Sequence, residues 1–326
     1  MESVIIIATY PSRFLRSSVD SVLSQTLCRE DYEIIVVKNY KEKETDDFLR
    51  SHNIINIYTE KTQLGKKIAL GVRHASGEVI SFLDYDDVFL PSKLEHVEKA
   101  FSSLEELIYY HNNFKIISNT TEVGDTQGLK FQSVKFYFNG TQYGKISRKL
   151  RILRPDFNNS CISVKRRVIL EFIELIEKIE ISLDQALFYL CLQLGQGILI
   201  DGTVLTLYRI HESNNSLPDS KWSRTDKSEI ARIINYEKKR LSDLNSLILL
   251  NKSSLLNYVL SDIALIKISQ CLRSTEEYLP VQISYTDYIY YMRGGGIIRR
   301  FTGALVCLLR LKSKIFNNLY LKFIMK

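Results

Sequence analysis

Residues 77–91, GEVISFLDYDDVFLP, set a short apolar run directly before three carboxylates, and few folds accommodate such a stretch. Val79, Ile80, Phe82 and Leu83 have the composition of a strand buried on both faces, with Gly77 and Pro91 punctuating its two ends. The pattern predicts a strand ending at Asp84. Asp84, Asp86 and Asp87 then stand at the carboxyl end of a central strand, where open α/β sheets place their ligands. Like charges this close repel, and a divalent cation relieves the repulsion, because carboxylate oxygens are hard ligands suited to Mg²⁺ or Mn²⁺. A solvated acidic turn opening the helix near Pro91 accounts for the same residues without any ligand.

Strand and helix signals alternate through the first third of the chain. Strands are expected over 4–8, 32–37 and 54–58, and helices over 13–25, 46–51 and 66–74, the last opened by Gly65. Such alternation implies a parallel sheet with right-handed crossovers and a ligand crevice at the strand carboxyl ends.

With 326 residues, 45% of them hydrophobic, the chain can bury one large core, with or without an appendage. Its five cysteines are odd in number and never paired as C-x-x-C, which argues against a disulfide framework or a zinc site and fits a reducing cytoplasm. The start MESVIIIATY enters a strand with no basic region before it, so no secretory signal is expected. Eight basic groups against Asp287 alone, in residues 285–326, carry the whole net charge of +7. Leu, Ile and Phe are interleaved with them, which points to an anionic membrane surface as the partner and not to nucleic acid.

The runs SVIIIATYPSRFLRSSVDSVLSQT, DYEIIVV and GKKIALGVRHASGEVISFLDYDD together resemble the nucleotide-binding half of glycosyltransferase family 2, which has the GT-A fold. The resemblance covers roughly residues 1–215. It implies that Asp84 and Asp86 are the D-x-D carboxylates, which hold the metal and the ribose or diphosphate of a sugar nucleotide. Thr9, Tyr10, Asn39 and Lys67 are implied as further donor-binding residues. After the second strand the family usually has an acidic residue that reads the base, commonly uracil, where this chain has Lys38 and Asn39. Ala69, Leu70 and Gly71 stand where it often has Ala-Arg-Asn. Lys66 and Lys67, at a helix start, either bring positive charge to the diphosphate or are solvated on an exposed face.

Further along, ISLDQALFYLCLQLG resembles the family segment opened by an acidic pair. Asp184 matches the second member, the catalytic base, and Leu183 occupies the place of the first. Locally, Ser182 is expected to cap this helix by accepting a backbone N–H, with Asp184 in the first turn. Arg209 and His211 match an R-x-H at the end of a strand, and the resemblance implies that His211 completes the metal site with Asp86 or faces the diphosphate, where a hydrogen-bonded surface histidine is the plain alternative. Residues 108–117 read as a strand on which His111 is a packed or surface histidine and not a ligand. The basic stretch 145–154 meets a phosphate-bearing acceptor or is a solvated face. Asn158, Asn159, Ser160 and Cys161 fall where the family builds part of its acceptor pocket, and 212–224 has the composition of a lid.

The expected architecture is a GT-A type α/β catalytic domain over 1–224, with a mostly parallel sheet flanked by helices. A helical region follows over 225–326. In its tail Phe301, Leu305, Leu308, Leu309, Phe316, Leu319 and Phe323 recur on one face, but the longest uncharged run is far short of the roughly 20 residues needed to span a bilayer. An interfacial helix is expected, with packing on the catalytic domain as its rival. The reading implied is an inverting transferase dependent on Mn²⁺ or Mg²⁺, peripheral at the cytoplasmic face of a membrane. It moves a sugar from a nucleotide diphosphate to a saccharide or lipid-linked acceptor. The family's processive Q-x-x-R-W is absent, which favours one sugar per encounter. A silent sugar-nucleotide-binding scaffold and a nucleotidyltransferase are the alternatives. The latter needs a glycine-rich phosphate loop that ATYPSRF lacks.

Overall fold

Every residue of ESVIIIA is buried, and this stretch is β1 (Glu2–Ala8), from which the sheet grows on both sides. The computed structural model describes residues 1–117, 135–211, 227–248, 253–273 and 285–294. The lid expected over 212–224 and the tail expected over 297–326 lie outside the described residues.

After β1 follow α1 (Arg13–Leu23), β2 (Tyr32–Lys38), α2 (Lys43–Ser51), β3 (Ile55–Tyr58), α3 (Leu64–His74), β4 (Val79–Asp84), β5 (Val88–Phe89) and α4 (Lys93–Ser103). Then come β6 (Leu107–Ile117), β7 (Lys135–Asn139), α5 (Tyr143–Leu153), β8 (Ile162–Lys165), α6 (Arg166–Glu171), α7 (Ile173–Ile176), α8 (Leu183–Leu194) and β9 (Gly197–Arg209).

The strands order as β3-β2-β1-β4-β8-β6-β9-β5, with β7 also paired to β9. β1 is parallel to β2 and β4, β2 to β3, and β6 to β9. β8 runs antiparallel between β4 and β6, and two reversals cancel, so β4 and β6 point the same way. The carboxyl ends of β1, β2, β3, β4, β6 and β9 therefore share one edge of the sheet. The chain visits β2 and β3 on one side of β1 and returns to β4 on the other, and a reversal of this kind opens a crevice beside β1.

The apolar runs explain the layers. Val4, Ile6, Ile34 and Val36 meet Leu15, Val19 and Val22 of α1, whose start is capped by Ser12 accepting from the Phe14 amide at 3.2 Å. β3, at the sheet edge, leaves Ile55 and Tyr58 exposed. α3 approaches the turn after α7 so closely that a Cβ on Gly65 would lie 1.8 Å from the Ile176 carbonyl oxygen, while the Gly65 amide donates to Ile179 O at 2.9 Å. Gly65 thus sits inside the first turn of α3 because of this contact. Two further details differ from expectation: α2 begins at Lys43, and β5 is a two-residue strand too short to leave a period in the sequence.

The chain divides into two compact units, Met1–Lys221 and Trp222–Lys326. In the second, α9 (Lys227–Ile248), α10 (Ser253–Arg273) and α11 (Tyr285–Gly294) are described. Ala264 and Ile268 of α10 pack on Tyr291 of α11, and Lys267 Nζ lies 3.0 Å from Asp287 Oδ1. Among the described residues no helix is long and apolar enough to cross a membrane.

Candidate active site

At the carboxyl end of β4 the chain turns and pairs through β5 with the end of β9, Val88 opposite Leu207 and Phe89 opposite Thr206. This pairing carries Asp86 to the residues that follow β9. Asp86 Oδ2 lies 2.8 Å from His211 Nε2, and both side chains are largely buried. Arg209 fastens the contact, since its Nε donates to Asp86 O at 2.8 Å and its amide donates to Asp87 Oδ1 at 2.8 Å. Phe14 of α1 lies beneath, its ring 5.1 Å from the His211 ring and 4.7 Å from the Arg209 guanidinium. The Ser18 hydroxyl is 2.7 Å from Tyr85 O and 2.6 Å from Asp87 O.

The sequence groups three carboxylates around one cation, and the structure divides them. Asp87 is fully buried and faces inward, where it accepts from Ser160 Oγ at 2.6 Å as well as from Arg209 N. Burial, and then the charges of Asp86 and Asp84, push its carboxyl well above the usual range. Its bonds make it an anchor for the turn. Asp84 is pushed up to about 7, first by burial and then by the charges of Asp86 and Asp184.

That influence of Asp184 on Asp84 brings the start of α8 to the same edge. Asp184 Oδ2 accepts from the Asn158 amide at 3.2 Å and Oδ1 from the Gln185 amide at 2.9 Å. Ser182 holds the N-cap position without a side-chain cap bond, contrary to expectation, and Asp184 satisfies a first-turn amide instead. The turn before β8 connects the groups. Asn158 reaches Asp184 through its backbone, Asn159 Nδ2 makes a long contact of 3.5 Å with Asp84 Oδ1, and Ser160 Oγ accepts from Asp84 N at 3.0 Å. Sequence reasoning missed Ser160 and Arg209 as organisers of this arrangement. The visible sign was a run of three short polar residues just before an apolar strand.

The other residues expected on the donor side gather at the ends of β1 and β2. Lys67 Nζ donates to Thr9 Oγ1 at 2.8 Å and to Asn39 Oδ1 at 3.0 Å, and the Asn39 amide donates to Thr59 O and Lys61 O at 2.9 and 2.6 Å. Burial lowers the Lys67 amine to about 8. Of the two lysines, only Lys66 is exposed. Lys38 is spent on Asp46 at 2.6 Å and on Tyr40 O. Tyr10, beyond Thr9, touches Tyr85 hydroxyl to hydroxyl across the β1–β4 boundary. His111 is packed, its Nε2 2.9 Å from Phe157 O, and on α5 Lys145 and Lys149 are exposed.

A divalent ion fits what is present. Asp86 and His211, 2.8 Å apart, would hold it through a carboxylate oxygen, the hard ligand that Mn²⁺ and Mg²⁺ share, and through an imidazole nitrogen, which suits Mn²⁺ better than Mg²⁺. Among the described residues no three His, Cys, Asp or Glu groups gather as a metal cage, so the protein offers a pair.

Comparisons with known proteins agree with this architecture. The profile described as Glycosyl transferase family 2 matches residues 3–171. An uncharacterized glycosyltransferase of Rickettsia prowazekii is 31% identical over 105 residues, 32% of each chain, so the match spans about a third of that relative's length. The Escherichia coli UDP-Glc:alpha-D-GlcNAc-diphosphoundecaprenol beta-1,3-glucosyltransferase WfgD is 29% identical over 117 residues, 34% of this chain and 44% of that one. S. aureus TarS 1–349 in complex with UDP superposes with a TM-score of 0.56 at 12% identity, covering 90% of this chain and 79% of that chain, a likeness of fold.

Proposed function

This chain belongs to glycosyltransferase family 2, and on that footing we propose that it is an inverting, metal-dependent transferase that moves a sugar from a nucleotide diphosphate to an acceptor hydroxyl. The observation that carries the reading is the convergence of Asp86 and His211, 125 positions apart in sequence and 2.8 Å apart in space, with Asp84 and Asp184 beside them. Mn²⁺ or Mg²⁺ held by Asp86 and His211 would act as a Lewis acid toward the charge that develops on the leaving nucleotide.

Asp84 holds the ribose or diphosphate, and Thr9, Tyr10, Asn39 and Lys67 line the rest of the donor crevice. Asp184 takes the proton of the acceptor hydroxyl as its oxygen bonds to the anomeric carbon and the bond to the diphosphate oxygen breaks on the opposite face. One displacement inverts the configuration. The UDP bound to TarS, and the UDP-Glc donor and diphosphoundecaprenol-linked acceptor in the name of the E. coli enzyme, support a nucleotide-sugar donor and a lipid-linked acceptor. In this reading 1–224 is the catalytic domain, 212–224 its lid, and the basic tail of the 225–326 region holds the enzyme at the cytoplasmic membrane face.

The test is sugar release from a panel of nucleotide sugars with Mn²⁺, with and without candidate acceptors. Wild type should turn over at least one donor, Asp86→Ala should abolish turnover, and Asp184→Asn should retain donor binding while transfer falls about a hundredfold or more. Metal-dependent turnover surviving in Asp86→Ala would sink the metal assignment. Transfer within a few-fold of wild type in Asp184→Asn would reduce Asp184 to a helix-start residue.

A further inference from the structure

Two side-chain amides in the turn before β8 are left over once the carboxylates have been accounted for. Asn158 is 5% exposed, and its Oδ1 accepts from Ser160 N at 2.9 Å, which fixes the amide orientation. Its Nδ2 is buried and has no partner among the described residues. Asn159 turns its Nδ2 toward Asp84, so Oδ1 is its acceptor, and this atom too is buried without a partner among the described residues. Leaving a buried donor and a buried acceptor unmade costs stability. The backbone adds to that cost, because Asn158 has φ +68°, a conformation that side-chain-bearing residues seldom adopt and that collects at ligand sites.

The two asparagines sit in a turn that touches two of the site's carboxylates. Asn158 is bonded through its backbone to Asp184, and Asn159 touches Asp84. In a single displacement the anomeric carbon is joined to the diphosphate on one side and meets the deprotonated acceptor on the other. With Asp84 on the diphosphate and Asp184 as the base, as proposed above, the transferred sugar would lie between those two carboxylates.

We infer that Asn158 and Asn159 are the sugar-selecting pair, Asn158 Nδ2 donating to hydroxyl oxygens of the transferred sugar and Asn159 Oδ1 accepting from its hydroxyl groups. A hydroxyl both donates and accepts, so an amide donor beside an amide acceptor suits a neutral polyhydroxylated ring. The inference rests on the glycosyl-transfer reading of the site and adds to it the residues that choose the sugar.

Titration calorimetry on the full chain with Mn²⁺ tests it, comparing UDP and GDP with UDP-glucose, UDP-galactose, UDP-N-acetylglucosamine and GDP-mannose. Asn158→Gly keeps the left-handed backbone and the amide that reaches Asp184 while removing the side-chain donor together with the Oδ1 that accepts from Ser160 N. Asn159→Ala removes the acceptor together with the long contact to Asp84. Wild type should prefer one sugar nucleotide over its sugar epimers and over the parent diphosphate. Each variant should hold the parent diphosphate within about twofold and lose about tenfold toward that sugar nucleotide, with the preference among sugars narrowed. Equal losses for diphosphate and sugar nucleotide, or sugar discrimination that persists in both variants, overturns the assignment. So does a wild type that binds nucleotides without distinguishing sugars. A wild type that binds none of the six, and none of the thymidine, adenosine or cytidine sugar nucleotides tried next, removes the sugar-nucleotide donor and this inference with it. Should Asn158→Gly fail to fold, Asn159→Ala and Asn159→Ser decide.

Discussion

Lys67 shows what single residues contribute here and how far the sequence discloses it. Its amine is buried between Thr9 and Asn39, and burial holds it near 8 against 10.5 for a solvated lysine. Below pH 8 both the folded and the unfolded chain carry the proton, and the folded chain bears the full cost of burying the charge. Between 8 and 10.5 the unfolded chain keeps the proton and the folded one has released it, so stability rises with pH in that window. The unfolding free energy of wild type should therefore climb relative to Lys67→Met from pH 8 to 10, by well under the full value of about 1.4 kcal/mol per pH unit because solvent partly screens the amine. Parallel curves would mean that the amine titrates as it does in the unfolded chain. A helix-start lysine reads from sequence as either ligand or solvated charge, and nothing local separates Lys67 from Lys66. The difference lies in which side of α3 faces β1 and β2. Asp84 was legible because an apolar run ends on it, whereas Ser160 was not, because its partners at 84 and 87 come from a distant segment of irregular backbone.

At the scale of elements, strands with strong apolar runs were readable to within a few residues, and β5 was not. Yet β5 brings Asp86 to His211, so the most consequential pairing of the site had the weakest signature. α3 offers the clearest test of packing. Gly65→Ala places a methyl group inside contact distance of the Ile176 carbonyl, and backbone, unlike a flexible side-chain tip, cannot yield cheaply. A loss of about 1–3 kcal/mol of stability is expected from such overpacking, measured by denaturant unfolding. A stability within error of wild type would show that the turn after α7 relaxes away from α3. Ser182 teaches the converse lesson, for a good capping residue at the right position is left without a cap bond when a neighbouring carboxylate takes the first-turn amide.

For the whole molecule, the membrane role proposed for the basic tail can be tested by truncation. Each basic group near an anionic leaflet contributes on the order of 1 kcal/mol, added to burial of Phe and Leu side chains. A chain ending at Arg293 should still bind sugar nucleotide and should no longer sediment with anionic liposomes at low salt, whereas the full chain should. If instead truncation unfolds the catalytic domain and the full chain ignores liposomes, the tail is a packed helix.

The insertion of β8 between β4 and β6 has a bearing on how the chain is made. β4 and β6 are complete by residue 117, but the strand that joins them ends at Lys165, and β9, the other neighbour of β6, ends at Arg209. On the ribosome, where synthesis runs at about 5–20 residues per second, both strands wait for several seconds with an open edge toward the gap. Unpaired edges of this kind recruit other nascent chains. Asp184 and His211 lie beyond the strand that fills this gap, so the site is the last part of the sheet to be assembled.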